Sequence, residues 1–188
     1  MTQLEASLHC PWYRSAEVRR TIARRILPLF AALSLAWEIA QLPLYTIWTE
    51  ARTSQIAYAV IHCTLGDVMI GGFALAAALT LTRAGPLPSW RVGKIAAISV
   101  GASLGFTIFS EWLNVSVLRS WGYSNLMAVI PVVKIGLSPL LQWIVIPAAV
   151  FFFVVRRSQK SSPSSMSADS VSSHGDPGNN KRCGGDRT

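Results

Sequence analysis

The feature that most constrains this chain is that its apolar residues are gathered into four long runs, at about 26–48, 56–82, 93–118 and 135–155. Crossing ~30 Å of hydrocarbon takes roughly 20 helical residues, and each run meets that length. A soluble domain interleaves apolar and polar residues at helix or strand period, and these runs do not. The expected fold is therefore all-α, a transmembrane four-helix bundle over 26–155, with a basic segment at 1–25 before it. Segregation also explains why 51% of the residues are hydrophobic in a chain that still ends in polar sequence. Residues 158–188 are rich in Ser, Gly, Asp and Asn and bury too little apolar surface to offset chain ordering, so a disordered cytoplasmic tail is expected there.

Charge position sets the expected orientation. The net charge of +8 would first suggest nucleic acid, but the basic residues flank apolar runs and no nucleic-acid motif accompanies them. Arg14, Arg19, Arg20, Arg24 and Arg25 precede the first run, Arg83, Arg91 and Lys94 lie between the second and third, and Arg156 and Arg157 follow the fourth. The other two connections carry only Arg52, beside Glu50, and the pair Arg119 and Lys134. Loops rich in Lys and Arg stay on the cytoplasmic side, which puts both termini inside a multi-pass protein of the cell (inner) membrane. The partner expected from this pattern is the lipid bilayer, not nucleic acid. Trp48, Trp90 and Trp121 fall near span ends, where indoles prefer the interface.

Several segments admit two readings. Val18, Ile22 and Ile26 recur at helical spacing among the first arginines, consistent with a helix lying on the inner membrane surface or with a solvated tail. A signal peptide cleaved near Ser34-Leu35-Ala36 competes with a retained first helix, but the apolar run continues well past Ala36. Leu126–Val133 is too short to span and reads as an interfacial or re-entrant piece, or as the lead-in to the fourth helix. Cys10, Cys63 and Cys183 are widely spaced and odd in number, so neither a disulfide framework nor a Cys zinc site is expected. Cys63 is read as a small packed hydrophobe.

The chemistry lies in the polar residues inside the runs. Ionisable side chains in spanning helices are costly and face a bundle interior or a wet cavity. Here they are Glu38, His62, Asp67 and Glu111, with the amides Gln41, Asn114 and Gln142. At ~1.5 Å rise per residue all lie ~6–16 Å from the outer ends of their helices, within one half of the bilayer. Glu38/Gln41 and Glu111/Asn114 are i,i+3 pairs, so each pair shares a helix side. Trp37, Trp112 and Trp143 adjoin Glu38, Glu111 and Gln142 and are expected as aromatic walls of a small-molecule pocket. His62 and Asp67 are five apart, about 140° round an ideal helix, so Asp67 is the stronger candidate unless Gly66 permits a distortion. No ligand pair has helical metal spacing, so no metal or other cofactor is expected. Gly101 and Gly105, with Ala97, form a small-residue row expected to pack inside the bundle. Pro43, Pro139 and Pro147 each free a carbonyl one turn earlier, and kinks at the first two are expected to widen the same cavity.

Trp37-Glu38-x-x-Gln41-x-Pro43-x-Tyr45, His62-x-x-x-Gly66-Asp67, Glu111-Trp112-x-Asn114, Trp121-x-Tyr123 and Pro139-x-x-Gln142-Trp143 together resemble a family of small multi-pass proteins from bacterial genomes. The resemblance runs from about Trp37 to Pro147, and because no activity is assigned to that family it implies a membrane location and no reaction. From the residues, the leading expectation is an outward-facing pocket for a small polar or amphiphilic molecule, coupled to protonation of Glu38, Asp67 or Glu111. The alternatives are a membrane enzyme acting on a lipid or isoprenoid substrate, with a carboxylate or His62 as general acid/base, and an assembly subunit whose polar groups fasten helices.

Overall fold

The computed structural model describes residues 11–155. Four of its helices are long and apolar enough to cross a membrane: α1 (Ala16–Leu44), α2 (Thr53–Leu81), α3 (Val92–Val117) and α4 (Leu137–Val154). They alternate in direction, joined at one end by a one-turn helix at Ile47–Glu50 and by the 118–136 segment, and at the other by a turn carrying a 3-10 helix at Leu87–Ser89. The tail expected at 158–188, Cys10, Cys183 and the first ten residues of the 1–25 segment lie outside the described residues.

α1 starts at Ala16 rather than near 26. Ser15 caps it, its Oγ accepting from Val18 N–H at 3.4 Å, which satisfies one of the free donors of a first turn. Val18 and Ile26 are buried and Ile22 packs against them, so the row between the arginines runs on into the core through a π turn at Ile22–Ile26. Neither a separate surface helix nor a solvated tail describes residues 16–25. α1 also stops earlier than expected, in a 3-10 turn at Leu42–Leu44 that contains Pro43, and Trp48 falls in the one-turn helix instead.

The core occupies one end of the bundle. Val18, Ile26, Leu75, Leu79, Ile95, Ile146 and Val150 form it, closed below by Leu87 and Trp90. Trp12 N–H donates to Ala84 O at 2.9 Å and its indole to Thr80 Oγ1 at 3.3 Å, tying the start of the chain to the end of α2. α1 and α2 are in tight contact at Gly71, where an added Cβ would stand 2.8 Å from Phe30 Cζ. Trp90 is buried here, donating to Gly85 O at 3.1 Å, and is no interface indole.

The small-residue row on α3 is not the packing face. Ala97, Gly101 and Gly105 are exposed, and nothing stands within 4 Å of a Cβ built at either glycine. Ile95, Ser99, Ser103, Thr107 and Glu111 are buried instead, every fourth residue of the helix. At a 3.6-residue period such a row makes one continuous stripe, and hydroxyls this small let helices approach as closely as glycine does. The outer face of α3 carries Phe106, Phe109 and Trp112. α2 is likewise apolar outside, with Ile61, Leu65, Met69 and Phe73 exposed. A surface this continuously apolar is untypical of water-exposed monomers and compatible with a bilayer.

Pro43 lies in the 3-10 turn that ends α1. Pro139 lies in the first turn of α4, where a missing N–H costs nothing, and Pro147 alone is interior. The 126–133 stretch does not enter the bundle as a helix. It contributes a short antiparallel hairpin, Val129–Ile130 with Ile135–Gly136, that feeds directly into α4.

Candidate functional site

Beyond Phe30 and Trp143, whose rings lie 5.7 Å apart, the bundle stops being solid. A cavity of about 740 Å³ occupies the opposite end, within the size range of small-molecule sites. Each helix contributes to it through the turns farthest from the core: Glu38 and Gln41 from α1, Cys63, Gly66 and Asp67 from α2, Thr107, Ser110, Glu111 and Asn114 from α3, Pro139, Gln142 and Trp143 from α4. α3 delivers Glu111 because it is the last member of the buried stripe that begins at Ile95.

All three carboxylates meet neutral donors. Gln41 Nε2 donates to Glu38 Oε1 at 2.8 Å, across the i,i+3 spacing of α1, and Gln41 Oε1 accepts from Ser138 Oγ at 2.8 Å, linking α1 to α4. Gln142 Nε2 donates to Asp67 Oδ2, linking α4 to α2. Tyr123 OH donates to Glu111 Oε2. Asn114 turns its Nδ2 back to Ser110 O at 2.9 Å on its own helix. Trp121 Nε1 is buried close to the Glu111 carboxylate.

A strap from the α3–α4 connection is tied to the end of α1 beside the cavity. Thr46 N–H donates to Gly122 O at 3.0 Å, Ser124 N–H to Leu44 O at 2.9 Å, and Ser124 Oγ–H to Pro43 O at 2.9 Å. Tyr45 and Tyr123 pair across this seam with rings 5.7 Å apart. Burial pushes both phenols above the ordinary phenol range; the neighbouring Glu111 carboxylate adds to this at Tyr45, and the hydrogen bond to Glu111 adds to it at Tyr123. At neutral pH Tyr123 is therefore a proton-bearing donor to Glu111.

Of the residues singled out in the sequence, Glu38, Gln41, His62, Asp67, Glu111, Asn114, Gln142 and Trp143 line the cavity. Trp37 and Trp112 do not. Trp37 packs against the apolar core, and Trp112 is 48% exposed on the outside of α3, because adjacency in sequence puts a helical neighbour about 100° away from the residue beside it. Aromatic lining comes instead from Tyr45, Tyr58, Phe106, Trp121 and Trp143. His62 lines an exposed edge, stacked on Tyr58 at 5.6 Å; α2 is unbroken through Gly66, so no distortion brings it round to Asp67. Cys63 lines the cavity rather than filling a packed site. Trp121 and Tyr123 lie outside the four runs and Tyr45 near the end of the first, and hydropathy could not attach them to the site; their only signal was the combined motif. Among the described residues no three His, Cys, Asp or Glu side chains converge closely enough to hold a metal ion. No family model, curated protein or solved structure matches the chain.

Proposed function

We propose that this protein crosses the cell membrane four times with both termini cytoplasmic, and binds a small polar or amphiphilic molecule in a cavity open to the opposite side. The observation that carries the reading is the confinement of three carboxylates and their amide partners to the walls of one 740 Å³ cavity. Groups that only fastened helices would have no reason to collect around a space. Orientation is supported by the basic segments, Arg14–Arg25 and Arg83–Lys94, standing at the packed end, and by Trp12 docking there. The side away from those charges is the one the positive-inside tendency leaves outside.

A second reading is favoured by a specific observation: Glu38, Asp67 and Glu111 each accept a hydrogen bond from the protein itself. On that view they are fasteners, worth about 0.6 kcal/mol apiece. Two measurements separate the readings. In a form with Cys10→Ser and Cys183→Ser, Cys63 is the sole thiol, and a membrane-impermeant thiol reagent added to intact cells labels it. Labelling only after the cytoplasmic face is exposed reverses the orientation, and no labelling from either side removes the open cavity. Glu38→Gln and Glu111→Gln leave the protein's abundance unchanged if the carboxylates serve a ligand; a fall in abundance in both assigns them to structure.

A further inference from the structure

The hydrogen bonds that satisfy the cavity walls also bear on what the cavity can hold. A bound anion needs donors, and the side-chain amide donors deepest in the cavity are already engaged: Gln41 Nε2 with Glu38, Gln142 Nε2 with Asp67, Asn114 Nδ2 with Ser110 O. Each carboxylate accepts a hydrogen bond on one oxygen, Glu38 Oε1, Asp67 Oδ2 and Glu111 Oε2, with Gln142 also close to Glu38 and Trp121 close to Glu111. Glu111 is 7% exposed and lines the cavity, away from bulk water. No Lys or Arg is among the lining residues, and His62 stands at the exposed edge. Three acidic groups in one enclosed, largely apolar space strongly favour a positive charge there. The walls between them are aromatic, with Tyr45, Tyr58, Trp121 and Trp143 offering ring faces of the kind that attract a desolvated cation.

The apolar part of the lining sets the rest of the ligand. Tyr58, Met69 and Phe106 line the cavity yet are 69%, 61% and 51% exposed on the outside of the bundle. The cavity therefore opens sideways between α2 and α3, toward the same apolar exterior that Ile61 and Phe109 face.

We propose that the ligand of this cavity is a monovalent organic cation, an amine or quaternary ammonium carrying an apolar chain, with its charged head among Glu38, Asp67 and Glu111 and its chain in the opening between α2 and α3. This rests on reading the cavity as a binding site, and the test is built so that the two fail separately. The full chain with Cys10→Ser and Cys183→Ser, in phosphatidylcholine nanodiscs, is alkylated at Cys63 by N-ethylmaleimide, and the rate is followed with octyltrimethylammonium, octanol or octanesulfonate present. At a concentration roughly ten times its Kd, octyltrimethylammonium slows alkylation roughly tenfold, while octanol and octanesulfonate change it little. Protection weakens as pH falls, because protons compete with the permanently charged head for the carboxylates. It is lost in Asp67→Asn and in Glu111→Gln, two variants whose shared loss does not depend on either one folding perfectly. Equal protection by octanol or better protection by octanesulfonate overturns the cation assignment and leaves the cavity standing. Protection by none of the three, with alkylation unchanged in Gly66→Leu, overturns the binding site itself.

Discussion

Two glycines five residues apart on α2 divide the molecule. At Gly71 a Cβ would strike Phe30 at 2.8 Å; at Gly66 it would meet nothing within 4 Å. Between them the bundle changes from a packed solid to the wall of a cavity, although the helix continues without a break. At the packed end the buried residues are mostly apolar, among them Leu75, Ala78, Leu79, Ile95, Ile146 and Val150, with Ser99 a polar exception on α3. At the cavity end the inward residues are Glu38, Asp67, Glu111 and Gln142, which cannot close on one another without setting carboxylates side by side. The same fold thus supplies a rigid base and a space above it.

That contrast can be broken most severely at Gly71. Gly71→Leu forces side-chain volume into the Phe30–Trp143 contact and is expected to cost about 3 kcal/mol, read as a large fall in the thermal midpoint or loss of the monodisperse peak in detergent. If Gly71→Leu folds normally, the packed end is not packed as described. Gly66→Leu is the matched opposite. Its side chain enters the cavity, so the thermal midpoint stays unchanged while Cys63 alkylation slows roughly tenfold, equivalent to ~1.4 kcal/mol. A fall in stability comparable to that of Gly71→Leu would erase the distinction between the two ends. Tyr123→Phe tests the strap: losing one hydrogen bond costs about 1 kcal/mol, expected as faster proteolysis within 119–134 with the helices intact. Unchanged cleavage there would mean that the backbone contacts at Thr46 and Ser124 hold the strap unaided. The smallest effect belongs to Gly101→Ala, on the open face of α3, which gains about 0.5 kcal/mol from helix propensity. Destabilisation instead would show that this face meets another helix in the membrane.

Much of the architecture was legible because hydropathy is a one-dimensional property. Four runs of sufficient length announce four helices, and the polar residues within them are conspicuous because each costs energy to bury. Their common depth followed from counting residues from the run ends, and eight of the ten residues chosen do line one cavity. The failures share a cause. Trp37 and Trp112 were attached to Glu38 and Glu111 by adjacency, yet on a helix neighbours in sequence face different ways. The Gly101–Gly105 row fits a packing motif, but a motif does not say which side of a helix meets its partner. α3 packs with Ser99, Ser103 and Thr107 instead, while the glycine in tight contact with α1, Gly71, belongs to no such motif. α1 extends back to Ala16 because Val18 and Ile26 find partners in α2, α4 and the 84–90 turn, a pairing between segments far apart in sequence.

The sequence by itself determined how many helices form, roughly where they begin and end, and that their polar residues share one end. These are consequences of the energy of each segment against its surroundings, taken one helix at a time. Only the tertiary structure decided which face of each helix turns inward, that Tyr123 crosses the 118–136 segment to reach Glu111, and that Trp121 rather than Trp112 stands beside it. Those depend on how four rods rotate against one another and where a connecting strap lands. A rotation of about 100° moves a side chain to the next residue's bearing at no change in hydropathy, so no reading of composition along the chain could have fixed it.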